Sequence, residues 1–321
     1  MEDPSSGSPV VQDIVYAIAA SPEFAEDGIC FAALHSGLFR SSDRGPTWHY
    51  AYDCLALPSG LPTASVALSP DFGSDSTVFA GVGGGILRSA DRGTTWEVVL
   101  LPTPPPQVTS LALSPDYARD GTVLAGTLDD GVFRSDDRGR SWVAWNFGLL
   151  DLNTLALAIS PDFGKDETLF AAVESGIFRS TNGGRAWREV PFPVELAPVL
   201  SLALSPAYAT DGTLFAGTEA HGLFVTRDRG QTWDRLGEAM IGGAVNGLAV
   251  TPGADNSLHI VAGLGQVVFL SRDGGQNWQD CQLTAEGEVG FTTLAAPGGL
   301  GQGALVLVGR TDGEVQRVTV P

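Results

Sequence analysis

Ser89-Ala90-Asp91-Arg92-Gly93-Thr94-Thr95-Trp96 decides the fold, because it recurs. Before it stands Ser41-Ser42-Asp43-Arg44-Gly45-Pro46-Thr47-Trp48, and after it Ser135-Asp136-Asp137-Arg138-Gly139-Arg140-Ser141-Trp142. Three further copies follow: Ser180-Thr181-Asn182-Gly183-Gly184-Arg185-Ala186-Trp187, Thr226-Arg227-Asp228-Arg229-Gly230-Gln231-Thr232-Trp233 and Ser271-Arg272-Asp273-Gly274-Gly275-Gln276-Asn277-Trp278. The six tryptophans are 48, 46, 45, 46 and 45 residues apart. A period this regular marks one supersecondary unit repeated along the chain. It overrides the two domains that 321 residues would otherwise suggest.

Each unit carries the same sequence of signals. In the third, Leu111-Ala112-Leu113-Ser114-Pro115, Thr122-Val123-Leu124-Ala125-Gly126-Thr127 and Gly131-Val132-Phe133-Arg134-Ser135 are short apolar runs, and a fourth begins at Trp142. Runs of this length bounded by Gly, Pro, Asp or Ser read as strands, and no helical period of useful length appears. Four short strands per unit make a propeller blade. After Trp278, the runs at Phe291–Pro297, Ala304–Gly309 and Glu314–Val320 supply three strands of one more unit. The chain is therefore predicted to be all-β: a seven-bladed β-propeller of four-stranded antiparallel blades. The blades fall at about 13–53, 64–100, 108–147, 153–191, 199–236, 245–283 and 290–320, after an N-terminal tail at 1–12. The seventh blade's outer strand comes from the N-terminus, where Val10 and Val11 offer a short pairing, or its edge stays open and is protected by Glu314, Arg317 and Pro321.

The octad has a local physical logic. A carboxylate accepts hydrogen bonds from the N–H groups of a tight turn, glycine supplies positive φ, and the tryptophan fills space near a neighbouring blade. Asp43, Asp91, Asp137, Asp228 and Asp273 hold this place, and Asn182 keeps the turn-forming oxygen in the fourth copy. The pattern resembles the Asp-box (BNR) repeat, Ser-x-Asp-x-Gly-x-Thr-Trp, of sialidase-like, sortilin-like and photosystem-assembly-factor-like propellers. That resemblance implies that the boxes are structural and remote from any active site. It also implies that a sialidase-like hydrolase would carry an arginine triad, a Tyr-Glu pair and an acid at the channel mouth. The inner strands here contain no Arg, Asp, Glu or His. Arg40, Arg88, Arg134 and Arg179 repeat instead on third strands, where they read as a solvent-facing feature. Xyloglucan-degrading relatives pair two such propellers, whereas this chain has one.

Composition excludes other classes. Eighteen basic residues against 37 acidic ones give a net charge of −19, which argues against tracking a phosphate backbone. No stretch is long and apolar enough for a spanning helix, and no secretory signal is visible, so a cytoplasmic location is expected. Cys30, Cys54 and Cys281 lack metal-ligand spacing and read as free thiols. No cofactor, metal or catalytic residue is assigned. The Asp71/Asp75, Asp116/Asp120 and Asp162/Asp166 pairs read as turn caps, since no calcium-loop motif surrounds them.

Function is expected in the connections between blades. Those leading to inner strands are unusually apolar, with Leu57, Leu101, Trp145, Phe147, Leu149, Leu150, Phe192 and Met240. They either pack over the channel mouth or form a patch for a protein or peptide partner. The leading expectation is a non-enzymatic binding scaffold. The rival is a carbohydrate-binding or glycoside-hydrolysing propeller that uses polar groups between second and third strands: His35, Asp129, Asp130, Glu174, Glu219 and His221.

Overall fold

A computed structural model describes residues 13–102, 106–194, 198–253, 257–281 and 289–321. Seven antiparallel sheets form a ring, and sequence order within each runs from the channel outward. The molecule is a seven-bladed β-propeller. The inner strands are Val15–Ala20, Thr63–Leu68, Gln107–Leu113, Thr154–Ile159, Val199–Leu204, Val245–Pro252 and Phe291–Ala295. Among the described residues six blades have four strands and the seventh has three, the third being Val315–Thr319. The pairing expected at Val10 and Val11 lies outside the described residues.

Burial explains the sequence pattern. Second strands such as Val78–Val82 and Leu169–Val173 are buried at every position, because each is covered by neighbouring blades on both faces. They read accordingly as continuous apolar runs rather than alternating ones. Across the inner pair, side-chain size is matched residue for residue. Ser65 faces Gly81, Ser110 faces Gly126, Ser201 faces Gly217 and Thr293 faces Gly309, whereas Ala17 faces Ala33 and Ala156 faces Ala172. The reason is space. A Cβ on Gly217 would sit 2.3 Å from Ser201 Oγ and 2.7 Å from Val245 Cβ. Gly217→Ala should therefore cost about 1–3 kcal/mol by overpacking. The Ser201→Ala/Gly217→Ala pair, which recreates blades one and four, should lose less than Gly217→Ala alone in urea denaturation. Additive losses would contradict the matched packing.

Hydroxyl and amide groups near the channel mouth also link blade to blade. Ser201 Oγ donates to Val245 O at 2.8 Å, and Asn246 Nδ2 donates to Phe291 O at 3.3 Å. Thr292 Oγ1 donates to Val15 O, joining the last blade to the first. Leu307 of the seventh blade is buried with Val15, Ile18 and Phe24 of the first. The ring thus closes through packing and inner-strand hydrogen bonds.

Five blades carry a short helical turn that the strand reading did not anticipate: Phe24–Asp27, Phe72–Asp75, Tyr117–Asp120, Phe163–Asp166 and Tyr208–Asp211. Each begins at a Ser-Pro step, buries its aromatic residue and ends in aspartate. Ser69 Oγ donates to Asp75 Oδ2 at 2.6 Å and Thr77 N donates to Oδ1 at 2.8 Å, so the carboxylate is consumed by the turn. The Asp-box docks on this turn. Arg92 N donates to Ser76 O and Arg138 N to Gly121 O, both at 3.0 Å.

Candidate functional site

The boxes are scaffolding, and their hydrogen bonds show why. Asp91 Oδ1 accepts from Ser89 Oγ, Thr94 N and Thr95 N at 2.8, 3.0 and 2.8 Å, and Oδ2 accepts from Thr95 Oγ1 at 2.6 Å. Asn182 repeats two of these contacts, to Ser180 Oγ and Ala186 N, each at 2.9 Å. Ala186 has no hydroxyl to donate, so the amide nitrogen of Asn182 loses nothing by replacing a carboxylate oxygen. Trp96 Nε1 donates to Ala51 O, Trp187 Nε1 to Trp145 O and Trp233 Nε1 to Pro191 O, at 2.9, 2.7 and 2.9 Å. These three indoles fasten one blade to the outer strand of its predecessor.

The same bonds set an acid limit. Hydrogen bonds from Thr47 and Ser41 hold Asp43 down to about 2, and those from Thr232 and Thr226 do the same for Asp228. At Asp137 burial opposes ionisation, but Ser141, Ser135 and Arg140 outweigh it and again hold the carboxyl at about 2. A carboxyl lowered on folding stabilises the fold above its unfolded value, near 3.8, and that contribution disappears as pH falls toward about 2. The thermal midpoint should hold from neutrality to about pH 4 and drop between pH 4 and 2. In Asp137→Asn that drop should be shallower; an unchanged slope would contradict the role of the box.

The repeated arginines are corrected by the structure. The Arg88 and Arg134 side chains are only 11% and 10% exposed, so they lie between blades rather than facing solvent. Arg134 donates to Gly183 O in the next box and stacks 4.5 Å from the Trp145 ring centroid. Trp145 is consequently a seam residue, held between Arg134 and Arg185.

The apolar candidates separate in the same way. Leu101 and Leu149 are buried, as is Ile241, and Phe192 packs edge-on against Phe224 and Trp233. Leu101 and Leu149 are therefore seam plugs and not contact surface, a correction to the sequence expectation. Phe147 and Leu150 are 80% and 82% exposed, with Leu57 and Met240 less so. Leu57 and Met240 lie in other connections, so the eight residues do not converge on one patch.

The turn carrying Phe147 and Leu150 is tightly held. Phe147 O accepts from Trp187 N at 2.8 Å, and Leu149 N donates to Asn146 O at 2.9 Å. Asn146 Oδ1 accepts from Val132 N, and its amide donates to Asp130 O. Gly148 adopts φ +82° with Trp187 O 2.4 Å from where a Cβ would stand. Buried Leu149 thus anchors a rigid turn that holds its two apolar neighbours in water.

The polar candidates split too. His35 and His221 are exposed, and among the described residues no group of three or more His, Cys, Asp or Glu could hold a metal. Asp129 N donates to Asn153 Oδ1 at 3.0 Å, a loop-fixing bond. Glu174 and Glu219 do share an open cleft of about 620 Å³ with Asp151, Leu155 and Leu200. Asp151, which the sequence does not single out because its interblade connection reads as apolar, accepts from Asn153 N and Ser175 N. The inner strands contribute no Arg, Lys, Asp, Glu or His to the channel.

No family model matches the chain, and no curated protein matches it. Solved structures do. A YCF48 structure bound to D1 peptide is 18% identical, with a TM-score of 0.69 over 98% of this chain and 95% of that one. The GH74 xyloglucanase of Xanthomonas campestris is 17% identical, with a TM-score of 0.73 over 96% of this chain and 52% of the enzyme. The extracellular domain of a putative one-component system from B. thetaiotaomicron is 16% identical, with a TM-score of 0.70 over 97% of this chain. The chain spans only 39% of that domain and about half of the xyloglucanase. At these identities the likeness is one of fold.

Proposed function

We propose that the protein is a binding propeller that holds a protein or peptide segment, without turnover, through apolar side chains presented between blades. The observation that carries this reading is the locked turn at Phe147–Leu150. Two large apolar side chains stand in solvent on a backbone that has no ordering cost left to meet on association. Isolated exposed leucines are ordinary, but a buried anchor flanked by two exposed hydrophobes on a fixed turn has the form of a hot spot. The net charge of −19 favours a cationic partner surface by steering. Three free cysteines suit a reducing, cytoplasmic setting. The YCF48 structure, nearly equal in length, has a peptide bound.

Selection of proteome-derived peptides on the full chain tests the reading. Peptides enriched on the wild type should be lost on Phe147→Ala/Leu150→Ala; equal enrichment on both would sink it. A second reading, carbohydrate binding or hydrolysis, draws on the cleft shared by Glu174 and Glu219. Turnover of chromogenic glycosides that disappears in Glu174→Gln or Glu219→Gln would favour that alternative.

A further inference from the structure

The seam between blades seven and one differs from the other six. Each of those receives a side chain from the preceding blade's outer strand: Ala51, Val99, Trp145, Val190, Leu236 or Cys281, all buried or half-buried. The position is fixed by pairing. Ala51 N donates to Leu38 O, Trp145 N to Val132 O and Cys281 N to Val268 O, at 2.8, 2.9 and 2.9 Å, while Val190 faces Ile177 and Leu236 faces Leu223. Val315 is the equivalent of Leu38 and Ile177, since it pairs with Gly309 as they pair with Ala33 and Ala172. Nothing stands opposite Val315 among the described residues.

Three observations mark this position among the described residues. A groove of about 380 Å³ lies there, walled by Leu34, Phe39, Pro46, Trp48 and Val315. Trp48 Nε1 has no hydrogen-bond partner among the described residues, whereas Trp96, Trp187 and Trp233 donate to carbonyls at the outer strand of the preceding blade, and Trp142 and Trp278 donate to the glycine of their own box. No described residue pairs with the edge itself. Glu314 O accepts from Arg310 N and Val320 N donates to Ala304 O, so the alternation of an antiparallel ladder turns the N–H and C=O groups of Val315, Arg317 and Thr319 outward.

Upstream of Val15 the residue types at the plugging distance differ from those in the other seams. In the six filled seams, nine to twelve residues separate the plugging position from the first buried residue of the next inner strand, as from Val190 to Val199 or Ala51 to Thr63. The same count back from Val15 reaches Asp3, Pro4, Ser5 and Ser6, none of them Val, Leu, Ile or aromatic. Among the described residues the charged ones lining the groove, Asp13 and Glu314, are acidic, as is the chain overall, and Glu314 also pairs with Arg310 at 3.2 Å.

We infer that the open edge of blade seven is a strand-addition site for an extended cationic segment of a partner protein. Such a segment pairs with Val315–Thr319, sinks an aliphatic side chain into the groove opposite Val315 and offers a carbonyl to Trp48 Nε1. This is β-augmentation: main-chain hydrogen bonds give affinity, and the pocket selects the side chain. The site is separate from the Phe147–Leu150 turn and stands or falls independently of it.

A fluorescein-labelled octapeptide of alternating valine and lysine is the probe, titrated by anisotropy against the full chain. Saturable binding is expected. Arg317→Pro removes one outward N–H without touching the internal ladder, a replacement that edge strands tolerate, and should weaken binding at least about tenfold. Val315→Arg, which fills the groove with charge, should do the same and serves if Arg317→Pro fails to fold. Phe147→Ala/Leu150→Ala should leave binding unchanged. Absence of saturation, or indifference to both edge variants, would overturn the proposal. So would an edge-to-edge dimer in sedimentation that Arg317→Pro dissociates, or binding seen only when the full chain carries Val10→Asp and Val11→Asp.

Discussion

Phe79→Ala is expected to lower the unfolding free energy by about 3–5 kcal/mol, a large share of the ~5–15 kcal/mol that typically holds a domain together. Phe79 is fully buried on the second strand of blade two, edge-on to Tyr117 at 6.1 Å between centroids. It also lies under the next blade's box: a Cβ on Gly139, at φ +81°, would fall 2.3 Å from the Phe79 ring. One side chain therefore supports its own blade, the helical turn of the following blade and that blade's box. The arrangement recurs with Phe31 under Gly93, while under Gly275 the outer-strand Leu236 takes that place. Truncation leaves a cavity that rigid turns on both sides cannot collapse into. Urea denaturation followed by circular dichroism measures the loss. A change below about 1 kcal/mol would mean that the seams are looser than their packing indicates.

Phe147→Ala/Leu150→Ala is expected to weaken a selected peptide at least about 30-fold, the effect of removing about 2 kcal/mol of hot-spot energy. Both side chains are exposed, so their loss should leave the thermal midpoint nearly unchanged. Leu149→Ala is the contrasting control. It removes a buried anchor of the same turn and should lower the midpoint as well as the affinity. Isothermal titration beside thermal melting separates the two. A double variant that binds like the wild type would remove this turn from the recognition surface.

Local chemistry made the boxes readable. A carboxylate, a glycine and a hydroxyl within eight residues carry out their whole function inside one turn, and the 45–48-residue spacing then counts blades. The Ser-Pro-x-aromatic-x-x-Asp turn was equally repetitive, yet the proline looked like the end of a strand and the aspartate like a loop cap. Both features hold, since the strand ends at Leu68 and Asp75 caps, but neither reveals the helical turn between them or that Phe72 enters the core. What sequence could not separate was side-chain destination across a seam. Leu149 and Leu150 are identical neighbours, one 6% and one 82% exposed, and the difference is set by where Trp187 of another blade lies. Arg88 and Arg134 misled for the same reason, since a charged residue beside a surface turn is ordinarily solvated. At Arg134 the burial depends on the Trp145 ring and on Gly183 O of the next blade, 49 residues away in sequence.

The most direct test of a binding propeller acting through its interblade turn is amide hydrogen exchange on the full chain with and without a saturating selected peptide. The account predicts slowed exchange over residues 146–150 and at Trp187, whose amide is bound to Phe147 O. Slowed exchange confined to the cleft around Ser175 and Glu219, with residues 146–150 unchanged, would contradict it.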